Sequence, residues 1–472
     1  MKLRNIAGCS SVAAALMLGS SWVHADAAAE KEAEEYMQTW EDRGKEACKD
    51  NERGCAAAGH ALDRAAAAYE KAGKLDKAIA IRKMILDPQW HLDYTDYGRM
   101  ATFKLAQNMQ SIAEYGEAAQ LAETAVRRFA KSDEAPDASR NAVTLRVGLG
   151  EIDKAIDDLQ IFSKNYGAIR AGEIPKMVLA IATALWDHGQ AKESREFIEK
   201  WRNVVEKSGN LHERILTHAL LGRIYARERA PEKAAKEFEV VRAAWQKTEE
   251  AVKRLNALGG PEVEQIRRLA QSVTAVGEAQ FFFAEQKRAE VEAIRFPEYT
   301  GSGNKESVVN FVGTKIAVWM RDKRSAIELA EREYQKVLEL QPVPPPRWVI
   351  ASAGRVGFMW SAFTSDFRRA PMPKEWSSKA PLPGTSIPGT EIKKLYLEQL
   401  GSMSEPLLQR SKQAFLVCVN HSVKYQWFDE HAQACVDWLE KRFPKEWIKV
   451  EELRPQPIYS ALPISTAIIS PP

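Results

Sequence analysis

Two short constellations in the sequence carry residue types that could do chemistry. The first is Cys418, His421, His431 and Cys435, spaced C-x2-H-x9-H-x3-C. Each half sets a thiol and an imidazole at helical spacing. Two antiparallel helices meeting near Lys424 to Trp427 would bring all four together, as a tetrahedral zinc site requires. The second is His212-Glu213-x4-His218. Two zinc ligands on one helix face stand four residues apart, whereas six residues turn them roughly 120° from each other, so a helical zinc-protease site is not formed.

Other catalytic signatures are missing. The sequence holds no Gly-rich phosphate loop followed by Lys-Ser/Thr and no G-x-S-x-G elbow. Carboxylates such as Glu249-Glu250 and Glu451-Glu452 are adjacent, and adjacent residues do not face one another on a helix. Nothing desolvates them to split their pKa values. No catalytic residue and no cofactor is expected, and the reading is of a binding protein. A zinc-binding or otherwise catalytic C-terminal domain is the alternative.

The cysteines carry a second, competing chemistry. The first residues hold Lys2 and Arg4, an apolar run from Val12 to Leu18, and Val23-His24-Ala25 ahead of Asp26. This is the pattern of a secretory signal peptide over residues 1–25, cut after Ala25. Ile6-Ala7-Gly8-Cys9 also matches a lipid-attachment box, but only eight residues precede Cys9 and none of them forms an apolar core. Export leaves Cys48, Cys55, Cys418 and Cys435, an even number in an oxidising compartment, so two local disulfides are expected. Cys48 and Cys55 could not bridge within one continuous helix, where seven residues span roughly 10 Å. The intervening Lys49 to Gly54 therefore reads as a turn between two helices. For Cys418 and Cys435, the disulfide is preferred over the zinc set.

The elements that hold these residues are helices. The formal net charge is +3 among 67 basic and 64 acidic residues, falling to +1 once Lys2 and Arg4 are removed with the leader, so nucleic acid is not an expected partner. Beyond the leader no stretch approaches the ~20 apolar residues of a spanning helix. Self-similarity sets the architecture. Small residues recur at Ala78, Ala118, Ala155, Ser194 and Ala234, spaced 40, 37, 39 and 40 apart. Each follows a short turn sequence such as Gly73-Lys74-Leu75-Asp76-Lys77 or Gly150-Glu151-Ile152-Asp153-Lys154. Ala66, Tyr69 and Gly73 precede the first anchor at the offsets at which Leu221-Gly222, Tyr225, Ala234 and Phe238 form the fullest match. Gly222 should let two helices approach while Tyr225 and Phe238 fill the interior.

On these residues the stretch from about 30 to 250 resembles the tetratricopeptide (TPR) repeat family. The resemblance implies an all-α solenoid of helical hairpins, a right-handed superhelix whose first helices line a groove for a peptide or a partner's helix. By offset it places Phe103, Gln107, Gln110, Thr183, Trp186, Arg223 and Arg227 on that groove. Their mixed chemistry departs from the basic, carboxylate-clamping pattern. Several could instead pack against the next repeat.

The remainder divides by its breakers. The solenoid is expected over residues 26–260, a helical extension over 261–342 with a long helix from Lys305 to about Leu340, and a C-terminal helical region over 343–450. An extended Pro-containing tail follows over 451–472. Pro342 to Pro346 forms a stiff break, a helix is expected near Trp348 to Phe367, and a Pro-rich stretch then leads to a further helix ahead of the cysteine hairpin. Six of thirteen tryptophans fall after residue 340, which points to a compact core or an interface. Pro344-Pro345-Pro346-Arg347-Trp348, Ala370 to Trp376, Phe428-Asp429-Glu430 and Cys435 to Leu439 resemble the C-terminal part of large exported TPR proteins of myxobacteria. Among these are components of the adventurous gliding motility machinery. That resemblance implies a non-catalytic envelope scaffold, in the periplasm or associated with the outer membrane, whose partners are other cell-envelope proteins; it carries over no catalytic residue. An outer-membrane or cell-wall assembly adaptor would differ only in its partner.

Overall fold

The computed structural model describes residues 27–50, 52–382 and 386–445. The expected leader with Cys9, and the tail over 451–472, lie outside the described residues. The described chain is all-α, with no strand and a single isolated bridge between Pro381 and Pro388. It forms two compact units that divide between Gly209 and Asn210.

The first unit opens with α1 (residues 27–39), a π-helical turn at Trp40–Gly44, and α2 (Lys45–Asp50). Four antiparallel hairpins follow. They pair α3 (Glu52–Lys71) with α4 (Leu75–Ile85), α5 (Asp96–Ser111) with α6 (Tyr115–Arg128), α7 (Ala135–Gly148) with α8 (Ile152–Tyr166), and α9 (Ile174–Asp187) with α10 (Ala191–Ser208). The turn between Cys48 and Cys55 is narrower than the sequence suggested. Helix α2 runs to Asp50 and α3 already includes Cys55, yet the disulfide forms, with Cα atoms 4.1 Å apart.

One device closes every hairpin. The first helix ends on a residue with positive φ, at Gly73 (69°), Ala113 (64°), Gly150 (73°) and Gly189 (80°). The following amide then donates back five residues, from Lys74 to Tyr69 O, Glu114 to Met109 O, Glu151 to Arg146 O and Gln190 to Leu185 O, at 2.8–2.9 Å. These bonds satisfy carbonyls that a helix end leaves orphaned. Two residues past the positive φ the second helix begins, and its fourth residue is the anchor. Ala78, Ala118, Ala155 and Ser194 are all at 0% exposure, because a larger side chain there would push the paired helices apart. The Ser194 hydroxyl donates to Ala182 O at 2.7 Å, which satisfies it in a position that alanine occupies elsewhere. A buried polar knot holds the first two hairpins together: Arg82 of α4 donates to Asn108 of α5 (3.0 Å) and pairs with Glu70 of α3 (2.8 Å).

The second unit begins with a fifth hairpin, α11 (Leu211–Arg227) and α12 (Pro231–Ala243), closed by the same device at Arg229 (φ 58°) and Ala234 (0% exposed). A Cβ on Gly222 would sit 2.9 Å from the Phe238 ring, so this glycine does permit close approach of the helices. Helices α13 (Thr248–Asn256), α14 (Glu262–Ala293), α15 (Lys305–Phe311) and α16 (Ala317–Leu338) come next, α15 and α16 being joined by a π-helical turn at Val312–Ile316. Then follow α17 (Pro346–Phe367), α18 (Gly389–Tyr425) and α19 (Glu430–Arg442).

The Phe281-Phe282-Phe283 run faces three ways. Phe281 packs on Tyr334 and Trp348, Phe282 on Phe238, and Phe283 under the guanidinium of Arg242. Residues on both sides of Pro342 to Pro346 share one core, including Trp319, Tyr334, Trp360 and Phe363. Trp360 is buried, whereas Trp427 is 44% exposed. One sequence expectation is corrected: the helix ahead of the cysteine hairpin and the hairpin's first arm are a single 37-residue helix, α18, that continues through Pro406.

Candidate functional site

The first unit contains a cavity of about 240 Å³ between α5 and α7, floored by α6. Helix α5 contributes Phe103, Ala106, Gln107 and Gln110, residues at i, i+3, i+4 and i+7 that share one helical flank. Helix α7 and the residue pair before it contribute Asp133, Glu134, Asp137, Ala138, Asn141 and Leu145. Ala118 and Ala122 of α6 form the floor, small enough to leave the space open. Phe103 is 5% exposed and packs on Phe129, so it forms a rigid wall, whereas Gln107 and Asp133 are exposed at the mouth. The cavity is below the ~300–1,000 Å³ that encloses a drug-sized ligand.

The polar groups of this groove are graded by their partners. Arg99 of α5 donates to both oxygens of Glu134 at 2.7 and 2.6 Å, tying the two walls together. Burial pushes the Glu134 carboxyl up, but the Arg99 hydrogen bonds, a backbone hydrogen bond, the Arg99 charge and the Ser132 side chain together outweigh it and hold the group below the ordinary carboxylate range. Asp137 pairs with Arg140 at 3.1 Å. Among the described residues Asp133 has no ion-pair partner. Gln107, Gln110 and Asn141 offer amides that can both donate to and accept from a peptide backbone.

The sequence placed Phe103, Gln107 and Gln110 on a groove, and the structure brings these three together on the cavity wall. Thr183 is exposed and Trp186 half-buried on α9, away from the cavity lining. In the second unit, Arg223 makes a bidentate ion pair with Glu278 of α14 at 2.8 and 2.5 Å, so it packs against the neighbouring helix; Arg227 is exposed in the last turn of α11. The carboxylates, Asn141 and Leu145 were missed. Offset from the repeat anchor selects one flank of each first helix, and the groove is closed by the opposite flank of the next one. Reading that opposite flank of α7 would have found them.

Elsewhere the reactive residue types are committed to structure. Cys418 and Cys435 form a disulfide with Cα atoms 6.5 Å apart, buried with Phe415 and Val436. The zinc set of Cys418, His421, His431 and Cys435 is therefore not formed, since both thiolates are consumed. The His421 ring stacks on Tyr425, and His431 approaches Glu430 at 3.8 Å. His212 and His218 diverge, as their spacing required: the first meets Ser272 Oγ at 2.9 Å and the second Glu237 at 2.6 Å. Ser272 is 0% exposed, so this Ser-His contact cannot meet a substrate. In the first unit, buried Arg146 pairs with Glu123 at 2.6 Å and with Glu151, and Asp158 lies buried in the same neighbourhood. Burial, reinforced by the Glu123 charge, pushes the Asp158 carboxyl up to about 7.

No family model and no curated protein matches the chain. Solved structures to which it is similar include a tetratricopeptide repeat protein from Parabacteroides merdae, at 13% identity over 75% of this chain and 98% of that one, with a TM-score of 0.31. Another is BtubC (BKLC) from P. vanneervenii, at 15% identity over 51% of this chain and 93% of that one, also with a TM-score of 0.31. The repeated hairpins, each closed by a positive-φ residue and a buried small anchor, make the fold a TPR-type helical solenoid.

Proposed function

We propose that the protein is a non-catalytic interaction scaffold that holds a segment of a partner protein in the groove between α5 and α7. The observation that carries this reading is the groove itself. It combines a rigid aromatic wall at Phe103, an alanine floor and a row of amides at Gln107, Gln110 and Asn141, open at the mouth. Such a surface offers shape and hydrogen bonds to the backbone of a bound segment.

The setting proposed is the bacterial cell envelope, outside the cytoplasm. Support comes from the signal-peptide pattern of residues 1–25 and from cysteines that pair two by two. The described residues include no helix long and apolar enough to cross a membrane. The C-terminal resemblance to exported myxobacterial TPR proteins suggests a gliding-motility complex as the assembly; an outer-membrane or cell-wall assembly adaptor would use the same groove with another partner.

Site-specific photo-crosslinking in producing cells tests both halves of the proposal. A photoreactive residue at Gln107 should yield an adduct with an envelope protein, and one at exposed Gln120, outside the groove lining, should not. Equal adducts at both positions, or none at Gln107, would refute the groove. A chain recovered only in the cytoplasm with its leader intact would refute export.

A further inference from the structure

We infer that the segment this groove accepts carries a lysine or arginine beside small or apolar residues. The inference rests on the groove reading above and adds the chemical class of the occupant. Three of the twelve lining residues are carboxylates, Asp133, Glu134 and Asp137, and none is basic. The nearby guanidiniums do not cancel the charge at the mouth. Arg99 is shared between Glu134 (2.6 Å) and Asp96 (3.5 Å), Arg140 between Asp137 (3.1 Å) and Glu173 (3.0 Å), and Arg170 between Glu173 (2.7 Å) and Asp137 (4.0 Å), so these three guanidiniums face five carboxylates once Asp133 is included. Asp133 is left exposed at the entrance, with no ion-pair partner among the described residues.

An incoming carboxylate would meet like charge at the mouth and no cation in the lining to receive it. An ammonium or guanidinium would meet Asp133 at the solvent edge, where charge complementarity steers association and selects between partners. The uncharged part of the segment then lies on Ala106, Ala118, Ala122 and Ala138, whose small side chains leave room for its own. Backbone groups of the segment can pair with Gln107, Gln110 and Asn141.

The test uses the full chain and a phage-displayed library of random dodecapeptides, with enriched peptides resynthesised carrying a fluorophore and measured by anisotropy. Enriched sequences should carry Lys or Arg, and their binding should weaken as salt is raised. Asp133→Asn should weaken it about two- to fivefold, as expected for an exposed ion pair, and Asp133→Lys by more. Both substitutions are at an exposed position, and circular dichroism checks that each variant stays folded. Gln107→Trp, which fills the mouth without adding charge, separates the two ideas. Peptides blocked by Gln107→Trp but acidic, uncharged or indifferent to Asp133→Lys would overturn the basic-segment inference and leave the groove standing. Peptides indifferent to both substitutions, or no enrichment at all, would overturn the groove and this inference with it.

Discussion

Gly73 and Gly116 should respond with opposite sign to the same substitution, alanine, although a Cβ added at either meets nothing within 4 Å. Steric contact is thus removed from the comparison and only backbone conformation remains. Gly73 ends the first helix of its hairpin at φ 69°, whereas Gly116 lies inside α6. Left-handed φ costs an L-residue roughly 1–2 kcal/mol. Replacing glycine also removes about 0.4–1 kcal/mol of unfolded-chain entropy. For Gly73→Ala the first effect exceeds the second, and a net loss of about 0.5–1.5 kcal/mol follows. For Gly116→Ala both the entropy and helix propensity favour alanine, giving a gain of about 0.5–1 kcal/mol. Ala113 occupies the same position as Gly73 in the next hairpin, at φ 64°, so Ala113→Gly should relieve the strain and stabilise by about 0.5–1 kcal/mol. The assay is urea denaturation followed by far-UV circular dichroism. Amide hydrogen exchange at Lys74 and Glu114, whose N–H groups close the two hairpins, localises each effect, because a solenoid need not unfold in one step. If Gly73→Ala and Gly116→Ala shift stability in the same direction, or Ala113→Gly destabilises, then the positive-φ residue does not set hairpin closure and the account of the repeat fails.

Gly222→Ala should destabilise the second unit by about 1–3 kcal/mol, because its Cβ would press on the Phe238 ring at 2.9 Å. Phe238→Leu in the same chain should recover part of that loss, and a double-mutant cycle in urea showing strict additivity would contradict the contact. Asp158 should make the first unit more stable at pH 5 than at pH 8. An aspartate titrates near ~3.9 in the unfolded chain and here at about 7. Below pH ~4 both states hold the proton and the full stability is present. Above that the unfolded chain releases a proton that the fold retains, so stability falls until the pH passes about 7. Asp158→Asn should flatten this dependence and raise stability at pH 8 by on the order of a few kcal/mol; an unchanged pH profile in that variant would show that Asp158 is not the group responsible.

The repeat was legible because its signals are local. Ala78, Ala118, Ala155, Ser194 and Ala234 each close a hairpin formed by residues within about 20 positions of them, and a periodic pattern of small and large side chains records that geometry directly. The same holds for Cys418 and Cys435, which face each other across one turn, and for Gly222 beneath Phe238. What the sequence left open was decided by neighbours distant along the chain. The fate of Arg223 depended on Glu278, 55 residues on, and the wall opposite Phe103 came from the far flank of α7, which no offset from the anchor reaches. Asp158 looks like an ordinary surface carboxylate on a helix until α8 packs against α7 and buries it near Glu123 and Arg146. Periodicity specifies which face of a helix turns inward; only packing specifies what that face meets, and charge and accessibility at the groove follow from what it meets.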